Sequence, residues 1–125
     1  MASNPRLIVL RISGYGQTGP YRDKPGFGVV AEAMGGLRHL TAEPGRTPVR
    51  VGVSIGDTLA GLHGVFGVLT PLHERNYNGR GQVINVALYE AVFNCMESLL
   101  PEHSAFGAFR TPPGSAPSCI APRNA

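Results

Sequence analysis

Cysteine is scarce in this sequence: Cys95 and Cys119 stand far apart, in no spacing that suggests a metal site or a local disulfide framework. Lysine is scarcer still. Ten of the 11 basic residues are arginine, and they are scattered singly, so the net charge of +3 forms no run of the kind that binds nucleic acid. No hydrophobic run reaches membrane-spanning length without Gly, His or charge, and "MASNPRLIVLRI" lacks the basic and long apolar regions of a secretion signal. The expectation is a soluble, cytoplasmic protein with reduced thiols, no nucleic-acid partner and no membrane partner. A phosphate-bearing small ligand remains compatible with the single arginines.

Glycine and proline, by contrast, are plentiful, at 17 and 11 residues, while 42% of the chain is hydrophobic. That combination marks tight turns and close packing instead of disorder. A chain of this length has the size of one domain and, if self-contained, would bury about two-thirds of its unfolded surface.

The run "RLIVLRI" (Arg6 to Ile12), ended by Ser13 and Gly14, predicts a buried strand, and "SGYGQTGPYRDKPG" a loop. "FGVVAEAM" (Phe27 to Met34) suits a short helix stopped by Gly35 and Gly36, followed by a connection that turns at Pro44 and Gly45. Beyond it, Leu59, Leu62, Phe66, Leu69 and Leu72 form one apolar helical face, and Ala60, Gly64 and Gly67 a stripe without bulk that another backbone could approach. Pro71 predicts a kink or a final turn of different geometry. "NYNGRGQ" reads as a turn, "QVINVAL" as a mostly buried strand, and "YEAVFNCMESLL" as a second helix ended by Pro101. Residues 112–125 read as an extended segment in need of a partner surface. Strands alternating with helices predict an α/β fold with parallel pairing, but two strands are too few for a complete doubly wound sheet. The chain reads as part of a larger fold.

Asp57 is a lone carboxylate in the apolar and small-residue stretch "VRVGVSIGDTLAGLHGVFGVLTPL". Its ordinary reading is an N-cap of the helix beginning near Thr58, with its charge held by free backbone amides and the helix dipole. Gly56, Ala60 and Gly61 also leave open space around it, which a cap does not require. A desolvated carboxylate with room for a substrate carbonyl can act as a nucleophile. The glycines at 14, 16 and 19 lack the spacing and the lysine of a phosphate-binding loop, and packing of Tyr15 and Tyr21 explains that loop equally well. His39, His63 and His73 have no metal-ligand spacing, and a packing or surface role is preferred.

Four blocks, "NPRLIVLRISGYGQTGPY", "GFGVVAEAMGG", "VSIGDTLAGLHGVFGVLTPLHERNYNGRGQ" and "VALYEAVFNCMESLL", together resemble the class III CoA-transferases. That family includes formyl-CoA transferase, carnitine CoA-transferase and 2-methylacyl-CoA racemase. The resemblance implies that residues 1–125 are an internal portion of the family's Rossmann-like large domain, an incomplete parallel sheet with helices. It implies that Asp57 is the nucleophile, passing through an aspartyl anhydride and an aspartyl-CoA thioester. It places the CoA-contacting segment on Pro25, Gly26, Phe27 and Gly28, with Lys24 one position short of the lysine that some members place there. It also implies acyl-CoA and a carboxylic acid as substrates, coenzyme A as cosubstrate without a permanently bound cofactor or metal, and an interlocked homodimer. The family's nucleotide-holding N-terminal segment and its glycine-rich closing loop are not among these blocks, so the segment alone is expected to be inactive.

Two other readings compete. The racemases carry a proton-transferring histidine where Phe27 falls, and phenylalanine cannot transfer protons, which disfavours an isomerase. A non-catalytic interaction segment is the third reading.

Overall fold

The computed structural model describes residues 4–115. Strand β1 (Val9–Ser13) leads through a long loop into helix α1 (Gly28–Met34), a single turn α2 (Leu37–Leu40), the long helix α3 (Ile55–Asn78), strand β2 (Val83–Ala87) and helices α4 (Leu88–Asn94) and α5 (Leu99–Phe106). The strands pair in parallel, Val9 with Val83 through Ser13 with Ala87. This is the α/β order and pairing that the sequence predicts, with two helices added.

Parallel neighbours need a crossover, and α3 supplies most of it. Gly64 lies against Leu10 and Ile12, and Gly67 against Ile84. Near the other end of the helix, the Arg75 guanidinium donates to the carbonyl of Arg6 at 3.0 Å. Helix α3 therefore runs antiparallel to the strands, and its N-terminus stands at their carboxyl ends. There it meets the start of α1, because Gly56 lies against the backbone of Gly28 and against Val92.

The core is built mainly from small residues. Ala31, Ala60, Leu88, Ala91, Val92 and Met96 are its buried members, with Leu37, Leu40, Leu59 and Val86 packed around them. Small side chains let α1, α3 and α4 approach closely; a methyl group on Gly35 would stand 2.6 Å from Val92 Cγ1.

Several sequence expectations need correction. The small-residue stripe of α3 does not wait for a partner backbone, since side chains of the molecule's own strands fill it at Gly64 and Gly67 and Ala60 lies in the core. The large residues Leu62, Phe66, Leu69 and Leu72 are exposed instead. Helix α3 continues through Pro71 to Asn78 and ends at Gly79, whose φ of 70° suits glycine, so the "NYN" of the expected turn is still helix. Neither strand is buried as expected: Leu10, Arg11 and Ile12 of β1 are exposed, as are Val83 and Asn85 of β2, because α3 covers only part of one face of the sheet and nothing among the described residues covers the other. The single helix expected up to Pro101 is two: Glu97 at φ 54° breaks the chain direction, and α5 starts anew at Leu99. Pro101 then falls in the first turn of α5, where its missing N–H has no helical partner to lose.

Helix α5 is tied down by charge. Arg110 donates from Nε and Nη2 to the two oxygens of Glu102 at 2.9 and 2.6 Å, and from Nη2 to Ser98 Oγ at 2.7 Å. Hydrogen bonds from Arg110, and then from Ser98, hold the Glu102 carboxyl down at a pKa of about 2. Of the expected extended segment 112–125, Gly114 bonds through its N–H to Ala42 O at 3.0 Å, and 116–125 lie outside the described residues.

Candidate functional site

Asp57 lies in the first turn of α3 but does not cap it. Ser54 is the N-cap, and Ile55 and Gly56 already have helical geometry, so Asp57 falls on the third helical residue. A carboxylate there still faces the positive end of the helix dipole, a contribution of roughly 0.3–1 kcal/mol. Its side chain is exposed, and among the described residues no hydrogen bond or ion pair reaches it. The dry enclosure expected from its apolar neighbours is absent, because Val51, Val53 and Leu62 also face outward.

One wall does stand against the carboxylate. A methyl group on Gly28 would lie 2.6 Å from Asp57 Oδ2 and 3.4 Å from Cγ, so only glycine lets the start of α1 approach this closely. Phe27, the N-cap of α1, precedes that glycine and is 69% exposed. Pro25 is exposed as well, and Gly26 sits backbone to backbone on Gly14, where a methyl on either would come within 2.5 Å of the other's Cα. The contact of Gly14 with Gly26 closes the loop after β1 on itself and delivers Phe27 and Gly28 to the helix that carries Asp57. All of this lies outside the carboxyl ends of the strands, where open α/β sheets place their ligand sites.

The loop between the two glycines is ordered by its aromatics, as one reading of the sequence had it. Tyr15 and Tyr21 meet edge to face at 5.4 Å, and Tyr89 adds a tilted ring 6.3 Å from Tyr15. The ammonium of Lys24 stands 4.7 Å from the centre of the Tyr21 ring. Tyr15, Thr18, Tyr21, Met34 and Tyr89 line a cavity of about 180 Å³.

His63 takes a packing role: Nδ1 meets Leu59 O at 2.8 Å, and Asn94 Nδ2 meets Nε2 at 3.1 Å. Its ring fastens α3 to α4.

Sequence reasoning missed Glu32. It lies one turn beyond Gly28 on α1 and is the only buried charged side chain of the described residues, facing Arg50 at 3.6 Å. The sequence holds one faint signal, an acid between Ala31 and Ala33 on a helix otherwise made of apolar and small residues.

The description "CoA-transferase family III" belongs to the family model that matches residues 1–125. The chain belongs to this family. It is 50% identical over 123 residues to the succinyl-CoA:D-citramalate CoA-transferase of Chloroflexus aurantiacus, a match covering 98% of this chain and 31% of that enzyme. It is 44% identical over 91 residues to the formyl-CoA:oxalate CoA-transferase of Streptomyces avermitilis, covering 73% of this chain and 22% of the relative. The crystal structure of a CAIB/BAIF family protein from Brucella suis superposes with a TM-score of 0.85 at 34% identity, over 89% of this chain and 29% of that one. The chain thus spans between about a fifth and a third of the length of the relatives it matches. Among the described residues, no helix is long and apolar enough to cross a membrane.

Proposed function

We propose that this chain carries the nucleophile of an acyl-CoA:carboxylate CoA-transferase, with Asp57 as that nucleophile. The observation that carries the reading is the seating of the Asp57 carboxylate against Gly28 at the carboxyl ends of the strands, open on its other side. A carboxylate walled by glycine backbone and free of internal hydrogen bonds has its lone pairs available to a substrate carbonyl.

In this reading Asp57 attacks the thioester carbonyl of the acyl-CoA, forming an aspartyl acyl anhydride and releasing CoA thiolate. The thiolate then attacks the aspartyl carbonyl, which frees the donor acid and leaves an aspartyl-CoA thioester. The acceptor carboxylate attacks the carbonyl of that thioester, forming a second anhydride and releasing CoA thiolate again. Thiolate attack on the acceptor's carbonyl completes the new acyl-CoA and restores Asp57. Each step exchanges one acyl bond for another, so no external oxidant or reductant is required.

Pro25, Gly26, Phe27 and Gly28 are the proposed contacts of the CoA arm, since Phe27 and Pro25 present exposed apolar surface beside the carboxylate. Kinship with transferases named for succinyl-CoA makes succinyl-CoA the first donor to assay, with short dicarboxylic acids as acceptors. Because Asp57 is exposed in this chain, the dryness that strengthens such a nucleophile has to come from other parts of a full-length protein, and the segment alone is proposed to be inactive. The interlocked homodimer of the resemblance is proposed on the same footing.

The test is Asp57→Asn in the full-length protein. Transfer should fall by at least about a thousandfold while CoA still binds, because Asn keeps the shape and loses the anion. Hydroxylamine added to the wild-type protein during turnover should convert the aspartyl thioester to a hydroxamate on the peptide containing "VSIGDTLAG". An unmodified peptide from an actively cycling protein, or an Asn variant near the wild-type rate, would reject the reading.

A further inference from the structure

We propose that Glu32 is a positioning residue for Asp57, acting through Arg50 on the segment that leads into α3; this rests on the reading of Asp57 as the nucleophile. Glu32 is 1% exposed, and neither carboxylate oxygen has a hydrogen bond. A carboxylate in that state has lost its hydration, and its ionic partner must compensate. That partner is the Arg50 guanidinium at 3.6 Å, itself about half exposed.

Residues 49–54 are otherwise poorly anchored. Val49, Val51 and Val53 are 59%, 41% and 62% exposed, so apolar burial does not hold this segment in place. Its ties are polar. The Val49 N–H donates to Thr41 O at 3.0 Å, the Thr41 hydroxyl donates to Val49 O, and Arg50 reaches back to Glu32. Four residues after Arg50 comes the N-cap Ser54, and three after that Asp57. Helix α1 therefore acts at two points one turn apart: Gly28 forms the wall against the carboxylate, and Glu32 anchors the segment that delivers it. Releasing the anchor lets the first turn of α3 drift along that wall, and a shift of about 1 Å at a reacting group can cost on the order of a hundredfold in rate.

The experiment uses the full-length protein with succinyl-CoA and a dicarboxylate acceptor, comparing Glu32→Gln, Arg50→Gln, the double variant, Arg50→Lys and Asp57→Asn. Readouts are kcat, KM for the acyl-CoA, hydroxamate yield at Asp57 and thermal midpoint. Glu32→Gln and Arg50→Gln should each lower kcat by roughly 10- to 100-fold, with KM changed by less than about threefold and hydroxamate yield falling in step with kcat. The double variant should be no slower than the slower single variant, and Arg50→Lys should recover most of the rate. Glu32→Gln within twofold of wild-type kcat, losses that multiply in the double variant, or an effect confined to KM would each overturn the proposal. If Glu32→Gln does not fold, Arg50→Gln and Arg50→Lys decide by the same criteria. Asp57→Asn separates the two readings: an active Asn variant rejects the nucleophile, while an inactive one beside a fully active Glu32→Gln rejects only the positioning role.

Discussion

Helix α3 turns Ala60, Gly64 and Gly67 inward and leaves Leu62, Val65, Phe66 and Leu69 outside, the reverse of what side-chain bulk alone dictates. On the inner face the strands supply the bulk and the helix supplies the space. A methyl on Gly64 would lie 2.9 Å from Leu10 Cδ2, and one on Gly67 2.7 Å from Ile84 Cγ2. The same close approach continues to the N-terminus of the helix, where Gly56 meets Gly28 and Gly28 meets Asp57. The inner face thus sets the position of the Asp57 carboxylate, while the outer face is an apolar stripe of the kind that marks an interaction surface.

The sharpest way to break this comparison is to add one carbon where α1 meets α3. Gly28→Ala places a methyl 2.6 Å from Asp57 Oδ2, so the carboxylate must leave its seat. In the full-length protein kcat should drop by about a hundredfold with the thermal midpoint little changed, because the site borders open space and can relax outward. Steady-state kinetics beside a melting curve checks it; an unchanged kcat would show that the wall has no bearing on the proposed role of Asp57.

Farther along the inner face, the buried Gly64 meets the side chains of Leu10 and Ile12. Gly64→Leu drives a side chain into Leu10 and Ile12 between helix and sheet, an overpacking that costs about 1–3 kcal/mol. Chemical denaturation should show a lower midpoint at unchanged slope.

This division of α3 was only half legible in the sequence. The 3.6-residue spacing of the leucines and Phe66 revealed the helix, and the stripe Ala60, Gly64, Gly67 was visible beside it, but spacing does not say which face turns inward. Bulk normally does; here the decisive fact is the bulk on Leu10, Ile12 and Ile84, residues distant in sequence. The two strand runs and the Gly35 stop of α1 are readable because each depends on neighbours in the chain, and the parallel pairing of the strands, 74 residues apart, follows from the helices that separate them. The N-terminus of α3 was misplaced since Ser54 and Asp57 are both good caps, and nothing local chooses between them. The break between α4 and α5 was hidden because Glu97 adopts a positive φ that its residue type does not announce. Of the candidate site, Asp57 stands out in the sequence as a lone carboxylate and Gly28 enters through the family resemblance, whereas Glu32 and Arg50 come together only by folding.

Helix α5 offers a control that depends on charge instead of shape. The Glu102 carboxyl, held at about 2 by Arg110 and Ser98, has a folded pKa below its ordinary value of 4.5. A depressed carboxylate contributes stability that is fully present above the ordinary value and is lost as pH falls through the folded one. Acid should therefore loosen α5 between about pH 4.5 and 2, and Glu102→Gln should remove that part of the pH dependence. Salt should weaken the effect, which it would not do to the Gly64 contact. Amide exchange along α5 as a function of pH would report it.

The smallest effect is expected on the outer face, and its smallness is the point. Phe66 is 69% exposed, so Phe66→Ser removes little buried surface from this chain. Serine and phenylalanine have similar helix propensity, and the new hydroxyl stays in water. Stability of the 125-residue chain should change by no more than about 0.5 kcal/mol, while self-association driven by the apolar stripe should weaken. Denaturation and sedimentation of the two chains side by side measure both quantities. A Phe66→Ser loss as large as that of Gly64→Leu would mean that the outer face contributes to the fold as strongly as the inner one, and the contrast between the two faces of α3 would fail.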